Sequence, residues 1–295
     1  MTWAAPGPVT VGRYLSTSMA PKPKAEPQES DLLVPFESQN IPQRYREYYK
    51  TKRNNFFASI QGFPELWKYY ILLDEIWLRE FDDLKPARDP SRVFPLLLYF
   101  NAHAKIRVSL ELGFSGCLAE ARSILRDAIE FVAHAHAMLQ DTELPKTWLN
   151  KNSGEAAEEA FKEAFERHKK QGVFKGLDEL HRTWGQLSEL GSHANLNAMC
   201  ERFAAVSSKE GVEFKLVYTG VEEPRTWAMS LFSMLLACFT MERTLFSDYE
   251  DRLKLDDGLA RLRADFERYK EQLRRILINR YQIEPPKAAP GIHTP

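Results

Sequence analysis

The chain has 295 residues, 44% hydrophobic and 12% aromatic, enough to build one large core or two small ones, so a wholly disordered chain is excluded. Forty basic residues stand against 41 acidic ones, a formal net charge of −1. No overall field therefore draws the protein to nucleic acid or anionic lipid, and any such contact must be local.

From Met1 to about Ser30 the chain is rich in Pro, Ala, Ser and Lys and lacks the apolar run of a signal peptide. Residues 1–40 are expected to be a disordered tail, within which Met19 serves as well as Met1 for a translational start. A single helical domain is expected over residues 41–283, followed by a second disordered tail, 284–295. Residues 42–60 place Tyr45, Tyr49, Phe56 and Ile60 on one stripe, and the Gly62-Phe63-Pro64 break separates them from a helix at 65–84. Asp89-Pro90 suits an N-cap followed by proline at the first helical position, opening a helix to about residue 112 that Pro95 bends or truly begins.

Residues 115–141 carry the longest clean helical pattern. A Glu/Ala/Lys-rich segment, 154–170, shows only the narrow stripe Ala157, Phe161, Ala164 and Phe165 and is expected on the outside. Residues 176–199 are helical again. The β-prone runs 203–207 and 212–218, around Ser208-Lys209-Glu210-Gly211, read as a hairpin. Two long helices, 223–254 and 256–282, close the domain. Within the first, the apolar run 229–241 is thirteen residues long, short of the roughly 20 a membrane span needs, and reads as a buried core helix. In the second, Leu259, Leu262, Phe266, Tyr269, Leu273 and Ile276 follow a coiled-coil rhythm for about two and a half heptads. That is too short for a true coiled coil, so packing on the preceding helix is preferred to a homodimer seam. No repeat of solenoid length is present. The expected fold class is an all-α, multi-helix bundle of about eight helices with one small β-hairpin insertion.

Cys117, Cys200 and Cys238 form no CxxC and cannot all pair, and a chain of this size needs no disulfide framework. A cytoplasmic protein, neither secreted nor membrane-bound, is the simpler expectation.

One pattern stands out. In the helix over 115–141, Leu118, Ala121, Ile124, Leu125, Ala128, Ile129, Val132 and Leu139 fill a broad apolar arc, and His136 projects into it. Arg122, Arg126, Glu130 and His134, four residues apart, descend along the edge, with Arg126 and Glu130 spaced for an ion pair. In 176–199, Leu180, Trp184, Leu187, Leu190, Ala194 and Ala198 define an apolar face, flanked by His181, Ser188, Ser192 and Asn195. Glu189 and His193 share another side unless Gly191 breaks the helix. If the two apolar faces pack together, the Arg/Glu edge meets the Ser/His stripe in a partly buried polar cluster.

The run LELGFSGCLAEARSILRDAIEFVAHAHAML, followed by WGQLSELGSHAN, resembles a family of bacterial helical proteins of unknown function, loosely grouped with HEPN-like bundles. The resemblance covers about residues 100–200, a third of the chain. It implies that Arg122, Arg126, Glu130, Ser188 and His193 occupy the family's characteristic polar positions, and it carries no activity with them. HEPN ribonucleases set an arginine four to six residues before a histidine, and no such spacing occurs here; Arg126 and His134 are separated by seven residues.

The Arg122/Arg126/Glu130 row reads first as an internal ion-pair network that fixes helix register, and second as a binder of phosphate or carboxylate. Ser188 and Ser192 lack a nucleophile elbow or a base in phase and read as small residues easing close packing. Glu130-x3-His134 and Glu189-x3-His193 match neither the di-iron nor the zincin pattern, so no metal is expected. The segment 44–57 interleaves Arg44, Arg46, Lys50, Lys52 and Arg53 with Tyr45, Tyr48, Tyr49, Phe56 and Phe57, a composition able to stack bases. Because its basic residues point around most of the helix, a solvated helix is preferred and nucleic-acid binding is the lesser reading. With no P-loop or dinucleotide fingerprint, no cofactor is expected.

The leading expectation is a non-catalytic bacterial bundle whose cluster (Arg122, Arg126, Glu130, His181, Ser188, Ser192, His193) is structural or binds a small anionic ligand. An RNA-directed toxin or phage-defence effector of HEPN-like ancestry is the second, and an interaction scaffold or homodimer through the C-terminal helices the third.

Overall fold

The computed structural model describes residues 40–84, 90–167, 169–192, 203–208, 211–216, 223–253 and 257–281. The expected tails up to residue 39 and over 284–295, the Asp89 cap, His193, Asn195 and the side chain of Ser192 lie outside the described residues.

The helices are α1 (Gln43–Gly62), α2 (Pro64–Asp83), α3 (Pro90–Phe114), α4 (Leu118–Gln140), α5 (Leu144–Leu149), α6 (Glu155–Phe161), α7 (Asp178–Leu187), α8 (Pro224–Tyr249) and α9 (Asp257–Tyr281). The fold is an all-α bundle. Proline opens α2, α3 and α8, where its fixed φ suits the first turn and its missing N–H breaks no helical bond. Pro95 lies inside α3, whose start precedes it. The backbone of Phe203–Ser208 runs antiparallel to Gly211–Leu216, Phe203 opposite Leu216 and Ser208 opposite Gly211.

The centre of the bundle is the α3–α4 hairpin. Its tight connection uses Gly116 at φ 81°, a left-handed conformation that a side chain would strain. Across it, Ser109 donates to the carbonyl of Ala121 at 2.7 Å. α2 runs antiparallel to α3: Trp67 and Tyr70 pack on Phe114 at one end and Phe81 on Phe100 at the other. Midway, Asp74 accepts from Arg107 at 2.7 and 2.6 Å and lies 2.8 Å from His103. Partial burial works against the Asp74 charge, and those two partners overcome it, holding the carboxyl down at about 2.

α8 lies parallel to α4 and antiparallel to α3, burying Ala228, Leu231, Leu235, Cys238, Met241 and Leu245. By length and composition alone, α8 with its extension to Arg252 is apolar enough to cross a membrane. α9 seats its apolar seam, Leu259, Phe266, Leu273 and Leu277, within the protein's own core. It packs most extensively against α2, from the far end of the sequence, with α8 also in contact: Phe266 meets Tyr69 at 4.6 Å and Phe239 at 5.0 Å. The expected outer segment divides into α6, in which no residue is fully buried and Phe161 is half-buried against the core, and a wide helical turn, Lys162–Glu166, that buries Phe165.

Candidate functional site

α4 is the spine of the site, and its edge residues part company rather than forming one row. Arg126 and Glu130 turn toward α7. There Arg126 Nε donates to Ser188 Oγ at 2.8 Å, and Ser188 Oγ donates onward to the carbonyl of Trp184 at 2.8 Å. Glu130 Oε1 accepts from Lys169 Nζ at 2.7 Å, from Trp184 Nε1 at 3.1 Å and from Arg126 at 3.5 Å. Both cations also face the Trp184 indole, Arg126 at 4.9 Å and Lys169 at 4.6 Å from the ring centroid, a favourable position against its negative face. Burial disfavours charge on Glu130, but the Lys169 ammonium, with Arg126, outweighs it and holds the carboxyl below its ordinary value.

The result is a closed network. Ser188 has its proton on a backbone carbonyl and a lone pair on a guanidinium, so no base is placed to activate it. Its local geometry comes from the wide helical turn Ser188–Ser192, which continues α7 by longer-range bonds.

Arg122, one turn before Arg126, points to α8 instead. Arg122 as a residue is 7% exposed, and its guanidinium donates to Ser230 Oγ at 3.1 Å. It stands at the wall of a cleft of about 890 Å³ between α4, α7 and α8, a size typical of ligand sites. Exposed Glu179, Glu189 and Glu223 and exposed Arg182 and Arg225 also line this cleft, and Arg122 is the buried charge among its described lining. Thr226, Ser230 and Ser233 add hydroxyls from α8, each one helical turn or less from the next.

The histidines are dispersed. His181 packs on Phe174 at 5.1 Å and stacks on Trp184, away from Arg122. His134 lies against Phe165 at 4.9 Å, and burial pushes its imidazole down to about 4 despite the nearby Glu130. His136, expected in the apolar arc, is a polar partner: its Nδ1 lies 2.9 Å from Asp248 on α8, which also accepts from Tyr99 at 2.5 Å.

Sequence reasoning missed Lys169, Ser230, Tyr99 and Asp248, and also a buried pair of carboxyls with a half-buried cation. Glu80 and Glu242, each 0% exposed, meet on the Arg263 guanidinium, which lies 3.6 Å from the Phe246 ring centroid. Among the described residues, no group of three or more His, Cys, Asp or Glu is arranged to hold a metal ion. No family model, no curated protein and no solved structure matches the chain. The HEPN-like resemblance over residues 100–200 therefore rests on its motif alone.

Proposed function

We propose that this is a non-catalytic helical protein that takes a small anion, a phosphate or carboxylate group, into the cleft between α4, α7 and α8, with Arg122 as its principal contact. The observation that carries this reading is the buried residue Arg122 at the wall of a cleft whose other charges are exposed and mixed in sign. A buried guanidinium strongly favours a bidentate anion, because charge-assisted forks gain more where water is scarce. The α8 hydroxyls of Ser230 and Ser233 can complete the anion's remaining acceptor sites. The Arg126–Glu130–Ser188 network, with Lys169 and Trp184, then serves as the brace that fixes α7 against α4 and so sets the cleft's width.

Support for a non-catalytic reading comes from the same geometry. Ser188 is committed to two hydrogen bonds, Glu130 is held ionised by cations, and the described cleft lining carries neither histidine nor cysteine. A cytoplasmic location belongs to this proposal too, with Cys238 buried as a free thiol.

Calorimetric titration of the full chain with inorganic phosphate and with citrate tests the reading. At least one should bind with a millimolar or tighter Kd, about −4 kcal/mol or better. Arg122→Lys keeps the charge but loses the fork, and should weaken that binding by about tenfold or more, with the fold intact by circular dichroism. Heat-free titrations with both anions, or equal affinity in the lysine variant, would overturn the proposal.

A further inference from the structure

The exposed side of α1 carries a pattern that the anion cleft does not use. At about 100° per residue, Tyr45, Tyr49, Arg53, Arg46, Phe57 and Lys50 fall in that angular order within about 140° of arc, while Phe56, at the same edge as Tyr45 and Tyr49, turns inward to Trp67 at 5.6 Å and Phe114 at 6.4 Å. Tyr45, Tyr49 and Phe57 are 51%, 48% and 51% exposed, and Arg46, Lys50 and Arg53 are exposed beside them. No acidic residue lies in this arc; Glu47 is on the opposite side, where it accepts from Gln43 at 2.8 Å. The three basic residues of the stripe therefore share one face, and it is Arg44 and Lys52 that depart from it. Lys52 is spent on docking the helix, reaching Glu111 of α3 at 3.1 Å, while Asn55 and Ser59 bond the carbonyls of Ser115 and Phe114. α1 is thus anchored through Lys52, Asn55, Phe56 and Ser59, and presents Tyr45, Tyr49, Phe57 and the three basic residues on the exposed arc beside that anchor.

From this juxtaposition we infer that the outer face of α1 is a docking surface for a single-stranded polynucleotide. Unpaired bases offer flat π-faces to Tyr45, Tyr49 and Phe57, and the intervening phosphates meet Arg46, Lys50 and Arg53, an alternation that matches the repeat of base and phosphate along a strand. The stripe runs about 18 Å, twelve residues at the helical rise, long enough for several nucleotides. Charge complementarity is local, as a net charge of −1 requires. An anionic membrane is a poorer fit. Interfacial helices segregate a broad apolar face, often rich in leucine, from a basic one, whereas here aromatic and basic residues interleave, and the one aliphatic side chain of α1 in the arc, Ile60, is half-buried at the end of the helix.

The experiment is fluorescence anisotropy of labelled oligouridine with the full chain. A saturable rise is expected with protein up to about 100 μM, within the ordinary range of non-specific binding. Binding should weaken between about 50 and about 200 mM salt with a log–log slope near −2, as three cations on a single strand imply. Tyr49→Ala and Phe57→Ala should each weaken it about tenfold with helicity unchanged, whereas Tyr49→Phe, which keeps the ring, should bind like the parent. The inference is overturned by no anisotropy change, by alanine variants that bind as the parent does, by duplex RNA binding as tightly as the single strand, or by association with phosphatidylserine vesicles alone. Arg122→Lys should leave oligouridine binding unchanged, which separates this surface from the anion cleft.

Discussion

At the scale of single residues, the α4 edge shows how one spacing rule produces different fates. Four-residue steps keep Arg122, Arg126, Glu130 and His134 on one side of a helix, but successive steps of 400° carry the row around the axis, from α8 at Arg122 to α7 at Arg126 and Glu130. The Arg126–Glu130 pair was legible because it is local. Lys169 was not, because it lies in an irregular stretch after Arg167, and neither was Ser230, more than a hundred residues downstream. His134 gives a measurable consequence. Its imidazole, pushed down to about 4 by burial, stays neutral in the folded protein, while an unfolded chain protonates it near 6.5. Between those values the unfolded state binds the extra proton. His134 therefore contributes stability that is present above about pH 6.5 and is lost as pH falls toward 4. Chemical denaturation at several pH values should show His134→Phe with a shallower decline over this window, by up to about 1.4 kcal/mol per pH unit. Parallel curves for the parent and the variant would contradict the assignment.

At the scale of elements, apolar periodicity located the long helices to within a few residues, because each must bury one face. It missed α5, a single short turn-and-a-half whose six residues are too few to show a period, and of the two helices that α9 packs on it named only the preceding one, α8. The seam of α9 was apparent, yet its chief partner, α2, lies at the other end of the chain, a pairing that local pattern cannot encode. Glu242 illustrates the same limit. In sequence it interrupts an apolar run, while in the fold it is fully buried and joins α8 to α2 and α9 through Glu80 and Arg263. Burial, then the neighbouring carboxylate, raises Glu80, and burial raises Glu242, the two carboxyls meeting beside one guanidinium. A raised carboxyl stabilises the fold fully below the ordinary glutamate value and loses that contribution as pH climbs above it. Glu80→Gln, which mimics the protonated partner, should flatten the loss of stability on the alkaline side. Arg263→Met should cost about 3–5 kcal/mol by leaving the carboxyls without their cation. Denaturation midpoints at pH 6 and pH 9 that are unchanged in both variants would refute this joint.

At the scale of the molecule, the sequence supports a helical bundle from composition and periodicity, and the structure adds the arrangement that periodicity leaves open. α3 and α4 form the central hairpin, α2 and α9 close one side, and α7 closes the other over a cleft. The candidate cluster separates accordingly into a brace and one wall of the cleft proposed to take an anion. Arg126, Glu130 and Ser188 belong to the brace, Arg122 to the wall, and His181 to neither. The division was invisible beforehand because it depends on which neighbour each turn of α4 faces. Side-chain NMR of ¹⁵N-arginine-labelled protein, titrated with the anion that binds, tests the division most directly. The Nε–Hε resonance of Arg122, assigned through Arg122→Lys, should shift in a saturable way while that of Arg126, assigned through Arg126→Lys, stays in place. A stationary Arg122 signal, or a shift at Arg126 instead, would contradict the assignment of the cleft as the anion site.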